Sequence, residues 1–106
     1  MEKTLKFTDD GTTYTLAFTR ETIAETEDMG FVLSEAYDKP MKSMILLWRG
    51  AFLEHHRTLD NAKKEALFEK IDKTELLGAL VDLYSEPVKS LFDEEHSKNA
   101  VKWTVN

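Results

Sequence analysis

The chain has 106 residues, 42% of them hydrophobic and 10% aromatic, enough for one domain with a modest core. It has no cysteine, which excludes a disulfide framework and thiolate chemistry. Its net charge is −6 and its local basic excess is small, so duplex nucleic acid is a poor partner: affinity there rests on neutralising phosphates.

No apolar leader follows Met1, and the longest unbroken apolar run is Met44 to Trp48, far short of the roughly 18 residues that span a bilayer. A cytoplasmic protein with no membrane partner is expected. Residues 3–18 read as a β-hairpin. Leu5 and Phe7 alternate with polar residues, as do Tyr14, Leu16 and Phe18, while Asp9-Asp10-Gly11 supplies the turn. Thr12, Thr13, Thr15 and Thr19 suit a face turned to water. Two strands are marginal alone, so their apolar face must lie on helices.

Residues 20–95 read as the helical part. A short helix over 20–29 takes Thr19 as its N-cap, places Glu21 in its first turn and closes at Gly30, with Phe31 set for the cap's hydrophobic contact. Residues 31–39 are open: Phe31, Val32 and Leu33 suit a buried segment, or Ser34 caps a single turn reaching Tyr37. From Pro40 to His56 the pattern is decisive. Met41, Met44, Ile45, Trp48, Ala51, Phe52 and His55 recur at helical spacing, and Leu46, Leu47 and Leu53 widen the apolar arc. This is the central helix, with Asp38 as its expected cap. Thr58 or Asp60 caps a polar helix over 61–71. Asp72 and Glu75 have capping-box spacing before Leu76, Leu77, Leu80, Leu83, Tyr84, Val88 and Leu91. Pro87 removes a bond to the Leu83 carbonyl, predicting a kink or a break into helices 74–85 and 87–94. The tail, 96–106, is polar except for Val101, Trp103 and Val105, which alternate and suit a short strand on the hairpin's edge. The expected fold is a single α+β domain over 1–106, an N-terminal β-hairpin packed against a bundle of four to five α-helices.

Charge is polarised along the chain. Residues 20–38 carry one Arg against six acids, a net −5, whereas Lys39, Lys42, Arg49 and Arg57 against Glu54 give residues 39–58 a net +3. These segments pair with each other or present two faces to partners. Catalytic chemistry finds no support. There is no Gly-x-Ser-x-Gly, no Gly-rich phosphate loop, and Asp93-Glu94-Glu95 suits a charged helix end better than a paired-carboxylate site. His55 and His56 are adjacent, about 100° apart on a helix, and lack the zincin spacing; His96 with Asp93 is explained by a solvated helix end. No enzyme, metal or cofactor is therefore expected. Met41, Met44, Leu47, Trp48 and Phe52 are the one constellation with a functional reading. A Met and aromatic stripe is ordinarily core, but it also suits a surface that accepts a partner's apolar segment, or a second copy in a homo-oligomer.

Several features together resemble a known family. They are the hairpin, the short helix ending in Glu27-Asp28-Met29-Gly30-Phe31, and the Pro40-led helix with Gly50-Ala51-Phe52-Leu53 and His56-Arg57. Leu83-Tyr84-Ser85-Glu86-Pro87 and the Trp103 tail complete the set. The chain resembles small proteins of tailed phages and prophages of Gram-positive bacteria that are similar to tail assembly chaperones. The resemblance implies a non-enzymatic protein of the host cytoplasm that binds tape-measure or tail-tube protein during tail morphogenesis. The alternative is a small structural component of the virion tail or connector. No catalytic or ligand residue is carried over.

Overall fold

The computed structural model describes residues 3–93, 101 and 103–105. Strands β1 (Leu5–Asp9) and β2 (Thr12–Leu16) pair antiparallel, with Leu5 opposite Leu16 and Asp9 opposite Thr12. Asp10 and Gly11 bridge them with φ of +49° and +79°, the left-handed pair that a two-residue hairpin turn requires. Tyr14 and Leu16 are buried and Leu5 and Phe7 pack against the same core, so the period-two pattern faces the helices.

Helix α1 (Arg20–Asp28) opens with a reciprocal cap. The Thr22 N–H donates to Thr19 Oγ1 at 3.3 Å, and the Thr19 N–H donates back to Thr22 Oγ1 at 2.9 Å. Gly30, at φ +107°, turns the chain, and Phe31 is buried behind it. A 3₁₀ turn (Leu33–Glu35) follows without a cap from Ser34. Helix α2 (Pro40–Ala51) differs from expectation at both ends. Its N-cap is Lys39 with no side-chain bond, because Asp38 lies one residue too early and its N–H closes the preceding turn on the Glu35 carbonyl at 3.0 Å. The helix stops at Ala51, short of His56. The Ala51 carbonyl accepts from the Ala17 N–H at 3.0 Å, and His56 Nε2 accepts from the Thr15 N–H at 2.9 Å. The hairpin thus claims the backbone and side chain that a longer helix would have turned elsewhere.

Helix α3 (Asn61–Lys70) is capped by Asp60, whose Oδ1 accepts from the Lys63 N–H at 2.8 Å. Helix α4 (Leu76–Asp93) is continuous through Pro87, so the predicted break does not occur. The Asp72–Glu75 capping box does not form either. Asp72 instead accepts from the Thr74 N–H at 2.9 Å, a turn of Asx type, and Glu75 is left-handed at φ +65°, outside the helix.

Helix α2 packs against α1, α3 and α4, and its aromatic residues meet the hairpin. Trp48 stacks on Phe7 (5.6 Å between centroids) and meets Phe52 (5.1 Å) and Phe68 (5.6 Å) edge-on. Its indole N–H donates to the Lys64 carbonyl at 2.7 Å. Tyr14 extends the cluster from Phe7 to Phe52 and His56. A second cluster holds Tyr84 between Phe18 and Phe31, where burial and the nearby Glu27 push its phenol up to about 12. At the crossing of α1 and α2 a Cβ on Gly50 would fall 2.0 Å from Thr26 Oγ1 and 3.0 Å from Thr26 Cβ. Glycine is required there by close approach.

Three outcomes are expected from this packing. Trp48→Ala empties the joint between hairpin, α2 and α3, and a denaturation midpoint lowered by about 3–5 kcal/mol is expected. That is a large share of the roughly 5–15 kcal/mol a domain has to lose. Gly50→Ala would gain about 1 kcal/mol of helix propensity in an open helix. Here the clash with Thr26, whose hydroxyl is already bonded to the Thr22 carbonyl at 2.7 Å, outweighs it. Net destabilisation of about 1–2 kcal/mol is expected from overpacking, and a raised midpoint would show that α1 yields. The third outcome concerns pH. Burial, then the neighbouring His55, hold His56 below its ordinary pKa, and its Nε2 must stay unprotonated to accept from Thr15. The unfolded chain therefore binds the proton more readily. Stability is full above the unfolded value near 6.5 and falls as pH drops through it. The stability that Glu25 draws from Arg57 is full above the ordinary carboxylate range and is lost only as pH falls below it, so it does not obscure this window. Denaturation at pH 7.5 and 5.5 should show the loss, and His56→Gln, which keeps an acceptor, should reduce it.

Candidate functional site

The structure separates the five residues read as a partner-binding stripe. Leu47, Trp48 and Phe52 are fully buried and belong to the core. Met44 is half-buried against that core, and Met41, in the first turn of α2, is 61% exposed. Of the five, Met41 alone offers most of its side chain to solvent. The hairpin, α1, α3 and α4 close over the rest because a helix apolar on most sides finds its lowest free energy when each side is covered.

A run of exposed apolar side chains brings Met41 together in sequence with four others, while Leu91, Val101, Trp103 and Val105 are exposed further along the chain. Met29, Val32, Leu33, Tyr37 (67% exposed) and Met41 all fall between the end of α1 and the first turn of α2. Of the two readings left open for 31–39, the buried segment of Phe31, Val32 and Leu33 does not form: of the three only Phe31 turns inward. The 3₁₀ turn is the reason: a chain that changes direction every three residues cannot aim three consecutive side chains at one core. The available signal was the run of large apolar residues from 29 to 41 with neither a helical nor a strand period.

Charges stand among these side chains. Glu35 pairs with Lys39 at 3.6 Å and with Lys42 at 3.9 Å. Arg57 grips Glu25 with two bonds of 2.9 Å, which hold that carboxyl below its usual range and raise the guanidinium in turn. Arg49 pairs with Glu65 at 2.8 Å. Three of the four basic residues of 39–58 are thus paired with two of the six acids of 20–38, Glu25 and Glu35. Each such pair is exposed and contributes at most about 1 kcal/mol.

Two adjoining clefts run between α1 and α4. One, about 290 Å³, is lined by Ile23, Ala24, Glu27, Pro87, Val88 and Leu91. The other, about 250 Å³, lies beside Phe18, Leu83, Pro87 and Ser90. Both are open and mainly apolar; Arg20 also lines the first, and Lys3, Arg20 and Glu86 also line the second. Lys64 is a buried amine that sequence reading missed. It donates to the Arg49 carbonyl at 3.1 Å while its own carbonyl receives the Trp48 indole, so it latches α3 to α2. Burial, then Arg49 and Arg57, push its pKa down. Among the described residues no group of three or more His, Cys, Asp or Glu is placed to hold a metal ion. His56 is committed to Thr15, and His96, Glu94 and Glu95 lie outside the described residues. No helix of the described residues is long and apolar enough to cross a membrane.

No curated protein and no solved structure matches the chain. A family described as a domain of unknown function (DUF5055) matches residues 1–106, and the chain belongs to that family over its whole length.

Proposed function

We propose that this protein is a non-enzymatic tail assembly chaperone of a tailed phage or prophage, acting in the cytoplasm of the host bacterium. Its partner is the tape-measure or tail-tube protein during tail morphogenesis. The setting rests on the resemblance carried by the hairpin, residues 27–31, 50–53, 56–57 and 83–87, and the Trp103 tail. The observation that supports a binding role is the exposed run Met29, Val32, Leu33, Tyr37 and Met41. Two of these are methionines, whose unbranched, polarizable side chains adapt to varied apolar surfaces. The Glu35, Lys39 and Lys42 charges keep such a surface soluble between encounters. A temporary binder of long apolar helices needs this combination of low sequence demand and a charged surround.

Co-expression with the tape-measure protein of the same phage is expected to raise that partner's soluble yield. Met41→Asp should abolish the gain without unfolding the chaperone. The site is exposed, and a carboxylate in the first turn of α2 is favoured by the helix dipole. Leu47→Asp, in contrast, buries a charge and should prevent folding. Unchanged partner solubility with the wild-type chain would leave the virion-component reading ahead, and mass spectrometry of purified virions would then find the protein in the particle.

A further inference from the structure

The hairpin has one guarded edge and one open edge. Its register makes Asp9–Thr12, Phe7–Tyr14 and Leu5–Leu16 the pairs that exchange backbone bonds. The backbone groups of Thr13 and Thr15 on β2, and of Lys6 and Thr8 on β1, therefore point away from the partner strand. On the β2 side the Thr15 N–H is taken by His56, and the next strand-end amide, Ala17, by the Ala51 carbonyl. On the β1 side the outward groups of Lys6 and Thr8 have no backbone or side-chain partner among the described residues. Beside that open edge lies a groove of about 150 Å³ lined by Phe7, Thr8, Asp9, Leu67, Lys70 and Ile71, with the Lys70–Asp9 ion pair (3.2 Å) at its end. The groove is apolar where the inward side chains of an added strand would point.

The same chain carries a segment of matching chemistry. Val101, Trp103 and Val105 alternate, so in an extended conformation they share one face. They are 91%, 79% and 85% exposed. An exposed Trp between two exposed Val residues is costly to leave in water, and Trp is among the residue types enriched at interface anchors. We propose that the residues around Trp103 of one copy add as a strand to the open β1 edge of a second copy. Trp103 then fills the Phe7–Leu67–Ile71 groove, and the exchange is reciprocal. Backbone bonds to Lys6 and Thr8 hold the added strand, and the groove selects its side chains. One such strand buries several hundred Å², short of the roughly 1,200 Å² at which specific interfaces begin; two exchanged strands double the contact. Reciprocity also makes the assembly a closed two-fold dimer.

The nearest competitor is the chain's own segment, because α4 passes Lys3 at Pro87 and Ser90, beside the start of its own β1. Light scattering and amide hydrogen exchange on the full chain separate the two. A dimer is expected at tens of micromolar, with the Lys6 and Thr8 amides exchanging at least about tenfold more slowly than in a chain lacking residues 101–106. The shortened chain should be monomeric with an unchanged circular dichroism spectrum. Trp103→Ala should weaken dimerisation at least about tenfold, as loss of a central anchor does. Thr8→Pro, which removes an outward N–H on an edge where proline is tolerated, should do the same. Should Thr8→Pro unfold the hairpin, the two tail variants decide alone. Protected Lys6 and Thr8 amides in a monomer would overturn the proposal in favour of closure on the same chain. A dimer that survives deletion of 101–106, or exchange at Lys6 and Thr8 that ignores the deletion, would overturn it outright.

Discussion

The hairpin, α2 and α3 meet at the Trp48 indole. One face lies on Phe7 of the hairpin, its edges meet Phe52 and Phe68, and its N–H reaches the Lys64 carbonyl on α3. A two-stranded hairpin does not persist alone, and α3 is largely polar, so neither has enough apolar surface of its own to stay attached. The indole supplies large apolar area and one directional bond at the same point. Lys64 completes the joint from the other side by donating to the Arg49 carbonyl and standing 5.8 Å over the Phe52 ring. A buried amine is tolerated there because it finds a carbonyl and an aromatic face in place of water.

The opposite side of α2 is organised by contact distance. Gly50 lets Thr26 approach so closely that no side chain fits between the helices, and Thr26 and Thr22 are both fully buried there. Buried threonines stay inexpensive because each hydroxyl is satisfied within α1: Thr26 donates to the Thr22 carbonyl, and Thr22 takes part in the cap with Thr19. Close approach at α1 and aromatic filling at the hairpin are two solutions to the same demand, since α2 is apolar on more than one side.

Much of the apolar surface left to solvent then falls at a connection, with Leu91 of α4 exposed as well. The apolar side chains between Met29 and Met41 are left outside because a short, direction-changing segment cannot bury all of them. The tail residues Val101, Trp103 and Val105 are outside as well. A chaperone role and an exchanged-strand dimer draw on these two different surfaces, so one copy can make both contacts. Glu25 pairs with Arg57, and Glu35 with Lys39 and Lys42, so these basic side chains are already engaged within the molecule.

The sequence by itself determined the elements whose signals are local. Period-two spacing and Asp10-Gly11 specified the hairpin, Thr19 specified one helix start and Thr58 or Asp60 another, and the Pro40-led stripe specified the helix at the centre. These depend on backbone geometry within a few residues, which is why they were legible. Tertiary structure decided where competing partners existed. Whether α2 reached His56 depended on Thr15 and Ala17, far away in sequence, taking the His56 ring and the Ala51 carbonyl. Whether α4 broke at Pro87 depended on packing against α2 and α1, which holds the helix together despite one missing bond. Above all, only the packed fold sorted the Met41, Met44, Leu47, Trp48 and Phe52 stripe into core and surface. Helical spacing fixes which residues share a face, but exposure depends on what comes to lie over that face, and here the covering groups come from the hairpin and three other helices.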